Sequence, residues 1–133
     1  MSIDLLMDDS CFACGKKNEN GLQLKIIEKD GGVWAAIDPP LWSQGYSGIV
    51  HGGVVATILD EMAVWAAFKK GYRTVTAELN MRIKEAMRVD QEYTARSRVH
   101  LVKHRLVEAD SEIMDRNDIQ VAFAHVKLLV VKQ

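Results

Sequence analysis

One segment constrains this chain more than any other. From Val54 to Lys70 the apolar residues Val54, Val55, Ile58, Leu59, Met62, Trp65, Ala66 and Phe68 recur at three- and four-residue steps, which is the period of an α-helix. Lys69-Lys70 and then Gly71 supply a cationic last turn and a glycine stop. Asp60 and Glu61 are the only acids inside the segment. A helix apolar on most of its surface belongs in a core, so the rest of the chain must wrap it.

The rest reads as strands. Leu22-Gln23-Leu24-Lys25-Ile26-Ile27 alternates apolar and polar and predicts a strand. Asp30-Gly31-Gly32 is a turn, and Val33–Ile37 the return strand. Pro39-Pro40 closes that region and opens a loop from Leu41 to Gly48. After the helix, strands are predicted over Thr74–Ile83, Glu92–Val102, Leu106–Met114 and Ile119–Val131, with a polar turn at Asp115–Asp118. Two strands, one long helix and four more strands predict an α+β fold, an antiparallel sheet around a single helix. Parallel crossovers would need more helices. The 133 residues suit one domain spanning 1–133.

Composition excludes some roles. A net charge of -1 argues against a nucleic-acid partner, which needs a basic face. No apolar run reaches membrane-spanning length, and the start, Met1-Ser2-Ile3-Asp4, lacks the pattern of a secretory signal. A cytoplasmic location is the expectation, with Cys11 and Cys14 as thiols. Cys11-x-x-Cys14 has the spacing of half a zinc site, but a closed site takes four ligands and the sequence offers no second pair. No metal is expected, although a site shared between subunits stays open. His100, His104 and His125 lie on or beside predicted strands without tight ligand spacing.

The chemistry gathers in His51-Gly52-Gly53, at the helix start, and Asp60. Two glycines there leave backbone N–H groups uncovered at the positive end of the helix dipole. They either receive a carbonyl oxygen as it gains charge or merely permit a tight turn into the helix. His51 is either a base or a residue that orients the loop. Asp60, between Leu59 and Glu61 in an apolar helix, is costly to bury unless paired or used. It is either catalytic or bonded to Thr57 or a neighbouring strand. Glu61 points about 100° away from it, so one acid should face the sheet or a partner and the other solvent. Gly52 and Asp60 are separated by roughly 12 Å of helix. If both act on one carbonyl, they come from different chains, related by a two-fold axis.

His51-Gly52-Gly53 with Asp60, preceded by Gln44-Gly45-Tyr46-Ser47-Gly48-Ile49-Val50, resembles the hotdog-fold acyl-CoA thioesterases of the phenylacetate-degradation type. Cys11-Phe12-Ala13-Cys14-Gly15 followed by Gly21-Leu22 recurs in one branch of them. The likeness spans about residues 11 to 131. It implies a curved antiparallel sheet around one long helix, assembled as a homodimer or homotetramer with its active site at the dimer interface. It further implies hydrolysis of an acyl-CoA to a carboxylic acid and CoA, with CoA present only as part of the substrate and no other cofactor. Asp60 would be the nucleophile or general base, Gly52 the N–H that polarises the carbonyl, and Thr76 the residue that positions water or acid. Gly45 stands where many members have Asn or Gln, and Gln44 is the nearest substitute. Gly53 and Glu61 would adjoin the substrate. Lys84, Arg88 or Lys103 would meet a CoA phosphate, and Trp42 and Tyr46 would line the acyl pocket. Met62, Trp65 and Phe68 read as core or dimer packing. The rival readings are an acyl-thioester dehydratase or hydratase on the same fold, and an acyl-CoA-binding protein without catalysis.

Overall fold

The computed structural model describes residues 5–131. Its elements are β1 (Ile27–Lys29), β2 (Gly32–Ile37), a short 3-10 turn (Leu41–Ser43), α1 (Gly52–Lys69), β3 (Thr74–Ile83), β4 (Tyr93–Lys103), β5 (Leu106–Asp115) and β6 (Gln120–Val130). The six strands form one sheet in the order β1-β2-β4-β5-β6-β3. Every neighbouring pair is antiparallel. This is the α+β hotdog arrangement expected from the sequence, with α1 packed across the inner face of the sheet.

Strand alternation builds the core. Val33, Ala35 and Ile37 of β2, Ala95 of β4, Val107, Ala109 and Ile113 of β5, and Ala122, Ala124, Val126 and Leu128 of β6 are all buried. Small side chains sit opposite larger ones, as in Ala95 with Ile113, Ala109 with Val126 and Ala122 with Ile113. The alanines leave room for the helix, which fills it with Val55, Ile58, Leu59, Met62, Ala63, Ala66 and Ala67. Each large aliphatic group buried this way stabilises by about 1.5–3 kcal/mol. Buried Ser97 and Ser111 bond to each other at 2.9 Å, so that polar pair is satisfied. The outer face is polar: Arg96 pairs with Glu112 at 2.8 Å and lies over Trp34, while His125 bonds both Asp110 and Glu108.

Two sequence expectations are corrected. The first strand is only Ile27–Lys29, not Leu22–Ile27. Gln23 has φ 51°, which breaks an extended run, and the N–H groups of Leu22 and Leu24 bond to Phe12 and Ala13 carbonyls instead of a strand partner. The helix begins at Gly52 rather than Val54 because His51 caps it. Its other end stops as expected, with Gly71 at φ 96° and the Tyr72 N–H closing back onto the Ala67 carbonyl. No helix among the described residues is long and apolar enough to cross a membrane.

The edges of the sheet differ. At one edge lies the three-residue β1, and at the other the ten-residue β3. Thr76, Ala77, Glu78, Asn80, Arg82 and Ile83 of β3 are exposed. A bulge at Ala77, between Thr76 and Glu78, interrupts its ladder with β6.

Candidate active site

The chain reaches the helix start through a tightly pinned loop. Gly45 N–H bonds to Ile49 O at 2.8 Å, Val50 N–H to Met87 O at 2.8 Å, and His51 N–H to Ser43 O at 2.8 Å. Gly48, at φ 80°, makes the turn, and its N–H donates to Gln44 Oε1 at 2.9 Å. The Gln44 carbonyl is thus spent on closing the loop. His51 is the N-cap, its Nδ1 accepting from Gly53 N–H at 2.8 Å, so its remaining ring proton sits on Nε2. The ring lies between two glycines. A Cβ would stand 3.2 Å from His51 Cδ2 at Gly45, and 3.1 Å from His51 Nδ1 at Gly53. Gly45 is therefore matched to the position of the His51 ring, a packing role that the sequence did not signal.

One donor is left over. The N–H groups of Val54 and Val55 bond to the His51 carbonyl, and that of Gly53 to its ring. Among the described residues, nothing accepts from the Gly52 N–H. It opens on a cavity of ≈ 600 Å³, lined among others by Tyr46, His51, Gly52, Ile83, Lys84 and Glu85. A free N–H at the positive end of an 18-residue helix suits an oxygen that gains negative charge.

The acid lies elsewhere. Asp60 is half-buried on α1, and Thr76 Oγ1 donates to its Oδ1 at 2.5 Å. This is the neighbouring-strand partner that the sequence left open. Thr57 instead bonds the Gly53 carbonyl at 2.9 Å. The bulge follows Thr76 directly, and bulges re-aim side chains beside sites. With Oδ1 held, Oδ2 is the oxygen left for other chemistry. Asp60 does not line the cavity at the helix start, as eight residues of helix require.

Glu61 does not face open solvent, as one of the two acids was expected to. Residues before β1 cover its side of the helix. Trp65 Nε1 donates to Glu61 Oε1 at 2.9 Å. Burial raises its pKa above the ordinary value, bonds from Cys14 and Trp65 draw it back, and the charge of Asp60 adds to the rise. The Cys14 thiol is pushed up to about 12, first by burial, then by the Glu61 carboxylate and the bonds to Cys11 and Glu61. Glu61 also lines a small pocket with Leu5, Met7, Val64, Trp65 and Phe68.

The expected cations are dispersed. Lys84 lines the main cavity and bonds Gln120 at 3.3 Å. Arg88 pairs with Asp90 at 3.3 Å, close to Gly48. Lys103 ends β4 at the far hairpin. Tyr46 reaches the cavity, whereas Trp42 does not line it. A single chain therefore joins Tyr46, His51, Gly52 and Lys84 at one place and Asp60 with Thr76 at another.

Solved structures share this architecture. A hypothetical thioesterase from Streptococcus pneumoniae is 21% identical, with 83% of this chain and 87% of that one covered at a TM-score of 0.76, and was solved with coenzyme A. Mutants of it with a threonine or an aspartate changed to alanine, sixteen positions apart, have also been solved. A Streptococcus mutans protein bound to acetyl CoA is 17% identical, covering 83% and 90% of the two chains at a TM-score of 0.77. The E. coli PaaI protein of the phenylacetic acid degradation operon is 18% identical, with 84% and 81% covered, at a TM-score of 0.77. No curated protein sequence gives a significant match. The family profile described as the thioesterase superfamily matches residues 47–122, from the loop before the helix into β6; the chain belongs to the thioesterase superfamily.

Proposed function

We propose that the protein hydrolyses acyl-CoA thioesters at a site shared by two copies of the chain, with Asp60 from one and the Gly52 N–H from the other. The observation that carries this reading is the split geometry. A carboxylate oriented by Thr76 and a free amide at a helix start lie too far apart to serve one carbonyl within a chain. The long exposed edge of β3 supports the pairing of two copies, since an unpaired strand edge is a template for another strand. Two β3 strands meeting about a two-fold axis would set the helices antiparallel and bring each Gly52 towards the other chain's Asp60.

In this arrangement Asp60 Oδ2 takes a proton from water while the water oxygen attacks the thioester carbon. The carbonyl oxygen, now negative, is received by the Gly52 N–H, in a cavity that also holds His51. The C–S bond then breaks and CoA leaves as its thiolate. General-base assistance of this kind supplies about 10²–10⁴ in rate. Lys84 lines the same cavity as Gly52, which supports a role for it in meeting the CoA phosphates, whereas Arg88 and Lys103 do not line that cavity. Tyr46, which reaches that cavity, would border the acyl path. Superfamily membership favours thioester hydrolysis, and structural relatives that hold coenzyme A or acetyl CoA favour an acyl-CoA substrate. Asp60 and Thr76 also keep the sixteen-residue separation of the two positions mutated in the Streptococcus pneumoniae relative.

The test is CoA release from short, long and aromatic acyl-CoAs by Asp60→Asn. Asparagine can still accept from Thr76, so the fold survives, and turnover should drop by about 10²–10⁴. Turnover equal to wild type would remove Asp60 from the chemistry.

A further inference from the structure

We propose that Cys11, Cys14 and Glu61 form a binding site for a thiophilic divalent cation of the zinc class, with its fourth position open to a neighbouring cavity. The sequence shows only one cysteine pair; the helix supplies the third ligand. The two sulfurs and a Glu61 oxygen lie within 4.8 Å of one another. Zinc bonds of about 2.3 Å to sulfur and 2.0–2.2 Å to carboxylate oxygen set tetrahedral ligand atoms roughly 3.5–3.8 Å apart. Shifts of about 1 Å or less would close the site on an ion.

The turn bearing the cysteines is built to hold sulfur. Ala13 N–H and Cys14 N–H both donate to Cys11 Sγ at 3.4 Å, contacts that stabilise a thiolate. Gly15 N–H closes the turn onto Cys11 O at 2.8 Å. A Cβ at Gly15 would stand 2.4 Å from Asp9 O and 2.5 Å from Cys11 N, so only glycine fits there. Trp65 Nε1 holds Glu61 Oε1 and fixes the carboxylate, as outer groups around metal ligands do. A cavity of ≈ 300 Å³ beside Cys14 and Trp65 gives water a path to the fourth position.

Charge fits as well. Two thiolates, one carboxylate and a divalent cation sum to one net negative charge. Lys16 and Lys25 line that cavity and complement it. The site would also explain what holds the chain before β1, which has no helix or strand from Leu5 to Ile26, against α1. A metal link between the two is a staple of the kind that irregular segments use.

The experiment uses the full chain purified under reductant without chelator, with zinc measured by mass spectrometry and cobalt(II) substituted for it. The expected result is one zinc per chain, a sulfur-to-cobalt charge-transfer band, and two thiols that react with a thiol reagent only after chelation. Cys11→Ser/Cys14→Ser should lose the metal, and Trp65→Phe, which keeps all three ligands, should bind zinc about 10–100-fold more weakly. Substoichiometric zinc with free thiols or a disulfide, a cobalt spectrum without charge transfer, or equal zinc in the double serine variant would each overturn the site. The wild-type cobalt spectrum decides the matter even where the serine variants fail to fold. None of these readouts depends on thioesterase activity.

Discussion

Gly52→Pro separates catalysis from stability. Gly52 is the first residue of α1, where proline is favoured because its missing N–H has no helical partner. His51 precedes it at φ -59° and ψ 136°, the extended region that a residue before proline requires. Space is available, since a Cβ at Gly52 meets only Ile83 Cδ1, at 3.7 Å. The substitution deletes one hydrogen-bond donor and disturbs no bond in the fold. Restricting the unfolded chain should raise stability by about 0.4–1 kcal/mol. Loss of a single oxyanion donor costs about 2.7–4 kcal/mol in the transition state, or 10²–10³ in kcat. Thermal unfolding and CoA release at saturating acyl-CoA measure the two effects separately. Gly52→Ala, which keeps the N–H, should lose less than about tenfold. A Gly52→Pro protein with unchanged melting and turnover within about threefold of wild type would refute the assignment of this amide to the carbonyl oxygen.

Other expectations follow from the same geometry. Thr76→Val keeps the shape and β-propensity of the side chain but removes the donor to Asp60. It should lower kcat by about tenfold, the value of a modest hydrogen bond to a charged group, with KM little changed and Thr76→Ser restoring most of the rate. An effect confined to KM would show that the bond does not orient the acid. On the outer face, bonds from Asp110 and then Glu108 raise the pKa of His125, against a smaller opposing cost of burial. The charged form is therefore favoured in the folded protein. Its stabilising contribution is complete below the ordinary histidine value of about 6.5 and is lost as pH climbs through the raised one. The melting advantage of wild type over His125→Gln should shrink from pH 6 towards pH 9, and parallel curves would contradict this.

How far the molecule could be read from its residues depended on whether a feature was local. The helix declared itself through its period and its Lys69-Lys70-Gly71 end, and β3 through β6 through their alternation. The false first strand arose because Leu22–Ile27 alternates as a strand does, while the left-handed turn at Gln23 belongs to contacts with Phe12 and Ala13 that no short window contains. The helix start was read two residues late because glycines carry no apolar signal, although His51 as N-cap fixes it. The Asp60–Thr76 bond depends on β3 crossing from the end of the helix to the far edge of the sheet, beside β6. Family resemblance, not spacing, pointed to Thr76. The surroundings of Glu61 were hidden for a similar reason. Its neighbours Cys11 and Cys14 lie about fifty residues earlier in a segment without regular structure, so the cysteine pair looked incomplete.

Two crippled chains offer the most direct measurement. Gly52→Pro and Asp60→Asn, carrying different tags, are co-expressed, and the mixed species is isolated and assayed beside each parent. A shared site predicts that every mixed dimer regains one intact pairing, an unaltered Gly52 from one chain with an unaltered Asp60 from the other. About half of wild-type turnover per mixed dimer should therefore return. Mixed dimers no more active than their parents would mean that the amide and the acid do not work across a subunit boundary.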